Sequence, residues 1–239
     1  MRRVLSFLTF TTLLVYGNET TNLNIDDAFY EKEVKTAPNA KAIWVKDTDS
    51  AMGRYNLHAK KLDIKTLART HGHLCDGLVL AYVELSTLLP KLFSDGIVDR
   101  TDLRVVAKNS PCLVDTSALM TGARINHKTL SLDNSLGASF IVQRISTKEA
   151  YSVSLRDKTF LKALRKQEKK IKAKIALHQI VTKKDVDKVE ALAFKAMKQM
   201  LNTDPKILLK IEKLKAYKFN FSIKDIGARS DVVNKDVER

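Results

Sequence analysis

The chain has 239 residues, 44% of them hydrophobic and 29% charged, with a formal net charge of +15. That is enough apolar sequence for one domain with a sizeable core plus an appendage. Beyond the first seventeen residues no stretch is long and apolar enough to span a bilayer, and there is no repeat and no phosphate-cradling glycine loop.

The chain begins with Arg2 and Arg3, an apolar stretch from Val4 to Val15, and Gly17. This is the pattern of a secretory signal peptide cut after Gly17. It predicts a mature chain of residues 18–239, a periplasmic location, and no transmembrane segment after cleavage. From Arg156 to Arg239 there are 23 Lys and Arg against 11 Asp and Glu, whereas residues 18–155 are near neutral. An exported protein meets little nucleic acid, so none is expected as a partner. The basic end suits an acidic protein partner or anionic lipid headgroups, and a plain solvated lysine face is the third reading.

Residues 18–50 are polar, with one or two helical turns expected in Asp26–Lys35 and a short strand at Ala42–Val45. Tyr55–Ala68 reads as a helix from its three/four apolar spacing. Asp76 is the expected N-cap of a helix over Gly77–Leu89. Leu103–Ala107 alternates like a strand, and Leu113–Thr121 reads as a helix stopped by Gly122. Thr129–Leu132, Ser139–Ser146 and Ala150–Leu155 read as three strands. Together they predict an α+β fold, a mixed sheet with helices packed on one side. Residues 156–239 read as a basic helical C-terminal region. Its expected helices are Lys158–Ile180, Asp185–Leu201 (with a capping box opened by Thr182) and Pro205–Tyr217, and Phe219–Ile223 is expected to be a short edge strand. Three units follow: 1–17, 18–155 and 156–239.

The chemistry concentrates in residues 71–77, His-Gly-His-Leu-Cys-Asp-Gly. His71, His73 and Cys75 lie at alternate positions, so an extended or looped backbone turns them to one side. Cys75 then stands at a positive helix end, which favours thiolate, the form that binds metal or attacks electrophiles. Cys112 repeats the arrangement after Ser110-Pro111. If the two helix starts meet, His71, His73, Cys75 and Cys112 gather around one ion. Zn suits these donors, and Ni or Cu also fits. Asp115, one turn past Cys112, is placed to orient a ligand or carry a proton, and Asp76 to support the site. His127 is an outer candidate. His58 and His178, alone on helices, read as ordinary surface or core residues. A Cys75–Cys112 disulfide is the competing reading for the two cysteines.

His71-Gly-His-Leu-Cys75-x-Gly77 before an apolar helix, then Cys112-x-x-Asp115 and Thr121-Gly122 before strands, resembles the FmdE family of formylmethanofuran dehydrogenase components. The resemblance covers roughly residues 65–155. It implies an α+β core, a homodimer, and a metal, commonly zinc, near the matching His and Cys residues. It does not imply formylmethanofuran chemistry, which in the family belongs to other components. Three positions depart from the pattern. Asp76 replaces a usual Pro, Ala123-Arg124 replaces a usual Cys-Thr pair, and no cysteine-rich C-terminal finger is present. The leading functional expectation is a periplasmic metal-binding protein serving the assembly or operation of a molybdenum- or tungsten-type oxidoreductase such as formate dehydrogenase. The alternatives are a metal- or cysteine-dependent enzyme acting on a small molecule, with Asp76 or Asp115 as base, and a structural or adaptor protein with a closed metal site.

Overall fold

The computed structural model describes residues 29–223 except Ala51, together with Lys235 and Val237. The signal segment and the cut after Gly17 lie outside the described residues. A π-helical turn, Tyr30–Val34, leads to β1 (Ile43–Lys46) and β2 (Lys60–Leu62). Then come helices α1 (Ile64–His71) and α2 (Asp76–Leu88), strands β3 (Ile97–Asp99) and β4 (Leu103–Ala107), and helix α3 (Pro111–Thr121). Strands β5 (Leu130–Leu132), β6 (Phe140–Arg144) and β7 (Ala150–Leu155) precede α4 (Lys162–Ala176), α5 (Lys183–Asn202), the short α6 (Pro205–Leu208) and β8 (Leu209–Leu214).

Two mixed sheets result. The larger runs β5-β4-β6-β7-β8, parallel only between β4 and β5. The smaller runs β2-β1-β3, with β1 and β3 parallel. The α+β architecture is therefore the one the sequence indicates. Its centre is α2, a helix apolar nearly all round, which such a sequence can satisfy only by burial. Leu78, Val79, Ala81, Tyr82, Val83, Leu85 and Leu88 are all fully enclosed. This helix packs on α3, α5 and β7, and α3 in turn rests on β4.

Several elements differ from the sequence reading. Tyr55–Ala68 is not one helix. Lys60–Leu62 pairs with β1, and Asp63 then caps α1 by accepting the Thr66 N–H at 2.8 Å. Pro205–Tyr217 turns helical only for one turn, because Leu209–Leu214 aligns along the whole of β7. Strand pairing overrides helical spacing here, since sheet preference is set by the neighbour a segment finds. Phe219–Ile223 forms no strand, and Ser222 hydrogen-bonds to β5, its carbonyl accepting the Leu132 N–H at 2.8 Å and its N–H donating to Ser131 Oγ at 2.7 Å. The break in composition at residue 156 is not a break in the sheet. The basic region supplies both its last strand and α5, which covers α2. The Thr182–Asp185 capping box is present.

Burial of α2 gives a direct stability expectation. Leu85→Ala should lower the unfolding free energy by about 2–5 kcal/mol, measured by urea denaturation. Leu57→Ala, at a side chain 76% exposed, should stay within about 0.5 kcal/mol.

Candidate metal centre

The site forms where the end of α1 meets the starts of α2 and α3. His71 is the last residue of α1, and Gly72 reverses the chain in the left-handed region at φ 104°. Cys75 is extended (φ −135°, ψ 166°) and is itself the N-cap of α2, its sulfur accepting the Leu78 N–H at 3.4 Å. The expected cap, Asp76, is already helical and cannot take the role, because the capping residue is itself non-helical and its side chain accepts from the N–H two or three residues ahead. In α3, Pro111 occupies the first position and Cys112 the second. Both sulfurs thus sit at positive helix ends.

The ligand atoms of His71, Cys75 and Cys112 all lie within 4.8 Å of one another. The two Sγ atoms are 3.3 Å apart as free thiols, and the His71 Nε2 is 3.9 Å from the Cys75 Sγ. Glycine at 77 makes the approach possible. A Cβ there would fall 2.8 Å from the Cys112 Sγ and 3.0 Å from its Cβ, closer than atoms of a rigid helix start tolerate. The requirement is therefore steric and has nothing to do with a left-handed backbone.

Asp115 Oδ2 accepts a hydrogen bond from His71 Nδ1 at 2.8 Å. A carboxylate only accepts, so Nδ1 carries the proton and Nε2 is turned toward the sulfurs. Carboxylate-held histidine of this kind is the usual support of a metal-ligating imidazole. Asp76 points elsewhere. Its carboxylate, almost enclosed, meets the Arg165 guanidinium of α4 at 2.9 Å, which also pairs with Glu168. Burial pushes the Asp76 carboxyl above the usual carboxylate range, against the pull of Arg165. The residue beside Cys75 is in this way tied to the basic helix.

The three donors polarise one another. The hydrogen-bonding contact with the Cys75 sulfur, with the His71 imidazolium nearby and against burial, pulls Cys112 down to about 4. The same contact with Cys112, followed by burial, pushes Cys75 up. The Cys112 sulfur and the Asp115 carboxylate, working against burial, raise His71 to about 9. Around neutrality the metal-free pocket holds a thiolate, a thiol and an imidazolium.

Of the remaining sequence candidates, His73 stands close to the group and the others lie elsewhere. His73 is exposed, its ring stacked at a tilt 4.8 Å from that of His71, and it stands beside the three-donor group. His127 is exposed in the turn after α3. Cys112 is the second residue of the helix that ends at Thr121 just before that turn, and the nine steps between Cys112 and Thr121 span roughly 14 Å at 1.5 Å per residue. Ala123 lies at the same far end and is buried, so a donor there would not reach this pocket. His58 and His178 are exposed. Arg165 carries no local motif and lies 89 positions from Asp76, so nothing in the sequence marks it as part of the site.

The family model "FmdE, Molybdenum formylmethanofuran dehydrogenase operon" matches residues 70–210, which contain every one of these donors and the helices of the basic region up to the start of β8. The chain belongs to the FmdE family. A solved structure of a tungsten formylmethanofuran dehydrogenase FmdE-like protein from Syntrophus aciditrophicus is 16% identical, over 65% of this chain and 74% of that one, at a TM-score of 0.42. No curated protein matches.

Two expectations follow from the geometry. Gly77→Ala should weaken metal binding by at least about tenfold in competition with a chromophoric chelator, with the fold retained by circular dichroism. Metal binding at pH 7 should release about two protons per ion, one from Cys75 and one from His71, because Cys112 has already lost its own. Affinity should therefore fall as pH drops from 9 toward 4. Calorimetry in buffers of different ionisation enthalpy reads the proton count, and release of none would contradict the protonation pattern.

Proposed function

We propose that this protein holds a transition-metal ion at His71, Cys75 and Cys112 in the service of a molybdenum- or tungsten-type oxidoreductase such as a formate dehydrogenase, and that it acts in the periplasm after export. The observation that carries the reading is the convergence of one imidazole and two sulfurs at two helix starts, with the imidazole held by Asp115. Two soft sulfurs and a borderline nitrogen fit zinc, and nickel or copper fits the same set. Membership of a family described by a molybdenum formylmethanofuran dehydrogenase operon supports the link to such an enzyme.

This chain's own contribution is legible without the ion. Asp115 fixes the tautomer and aim of His71. The α2 and α3 N-termini stabilise negative sulfur. Gly77 sets the distance between the two helices. Asp76 and Arg165 clamp the rim. When bound, the metal would supply Lewis acidity and a position for an incoming sulfur or oxygen ligand. Three donors in the group leave room for a fourth, which His73 could fill in a closed, structural site. The open count favours a second reading, a metal-dependent enzyme acting on a small molecule.

Purified protein should carry about one equivalent of metal by mass spectrometry. Cys75→Ser and His71→Ala should lose it, and His73→Ala should keep it. Deleting the gene should lower the activity of an exported molybdenum- or tungsten-dependent oxidoreductase in the source organism, and the Cys75→Ser form should not restore it. Unchanged activity would remove the proposed role while leaving the metal site standing.

A further inference from the structure

Helices α4 and α5 reach beyond the body they cover. Ile171 is the last buried side chain of α4 and Ala196 the first of α5, and no residue between them is buried. Yet the turn that joins the two helices is tightly built. Gln179 N–H donates to the Lys174 carbonyl and His178 N–H to that of Ile175, with His178 left-handed at φ 53°. That is the paired bonding of a Schellman stop. Three residues later the Thr182–Asp185 capping box opens α5, and Lys174 crosses to Asp185 at 2.6 Å.

This rigid turn holds apolar side chains out in water. Leu177 is 66% exposed, Ile180 83% and Ile175 36%. Behind them the two helices carry Lys166, Lys169, Lys170, Lys172, Lys184 and Lys188. All six are exposed and take no part in an ion pair among the described residues. A branched apolar tip backed by unpaired lysines is the composition of a segment that lies in the headgroup region of an anionic bilayer. An acidic protein would satisfy the lysines and leave the three apolar side chains in water. A lipid surface takes both.

We propose that the α4–α5 turn is a membrane-contacting tip, with Leu177 and Ile180 entering the interface of an anionic lipid surface and the flanking lysines meeting its headgroups. This is peripheral docking. Among the described residues no helix is long and apolar enough to cross a membrane. The proposal is independent of the metal site.

The test uses the full chain with Trp44→Phe and Leu177→Trp, so that the single indole reports on the tip alone. Trp44 is half-exposed on β1, remote from the metal donors in the chain. The emission of the new indole should shift to the blue on titration with phosphatidylglycerol vesicles, and high salt should weaken the shift. Phosphatidylcholine vesicles should produce no comparable shift. In sedimentation, Leu177→Ser with Ile180→Ser should lower partitioning by at least about tenfold relative to the unmodified full chain, which shares the apolar Val4–Val15 segment. No shift on anionic vesicles would overturn the proposal. So would a shift on neutral vesicles of equal size, or a shift with polyglutamate in place of lipid, which would assign the tip to an acidic protein.

Discussion

The near-contact of the α2 and α3 helix starts organises this molecule. The two helices converge so closely that the Cys112 sulfur occupies the space a side chain at position 77 would need. Everything chemical follows from that approach. Two sulfurs share the positive ends of two helices, and each alters the other's acidity. The C-terminus of α1 delivers one imidazole to the same point. The approach is held in place by packing that has no chemistry of its own, since α2 is enclosed by α3, α5 and the sheet. A helix so apolar leaves little freedom to slide, and the site inherits that rigidity.

The basic third of the chain is part of this frame. It closes the large sheet with β8, covers α2 with α5, and sends Arg165 to Asp76 at the rim of the pocket. A surplus of lysine on the outer faces of α4 and α5 coexists with an apolar inner face of Ala196, Met197, Met200 and Leu201. The charge therefore describes the surface of these helices, and the burial describes their structural role.

Much of this is readable in the chain itself. The apolar run after Cys75 dictates a buried helix, the alternation in Leu103–Ala107 a strand, and Thr182 with Asp185 a capped helix start. Three donors in five residues, with a second cysteine behind Ser-Pro, point to a joint site. The differences have physical causes. Lys60–Leu62 and Leu209–Leu214 are strands because β1 and β7 offer them edges, which no local periodicity reveals. Cys75 caps α2 in place of Asp76 because the sulfur, one residue earlier, is where the backbone is still extended. His71 ends a helix and Gly72 turns left-handed after it, so His71, His73 and Cys75 do not lie along one extended segment as their alternate spacing alone suggests. Arg165 has no signal in the sequence, since its partner lies in another element.

The central claim is that one ion is shared by both cysteines and His71. X-ray absorption at the metal edge of the purified, metal-loaded protein tests it most directly. The account predicts two sulfur scatterers at about 2.3 Å with nitrogen or oxygen completing the shell at about 2.0 Å, and loss of one sulfur in Cys112→Ser. A shell of nitrogen and oxygen alone, with both thiols still free to alkylating agents, would contradict it.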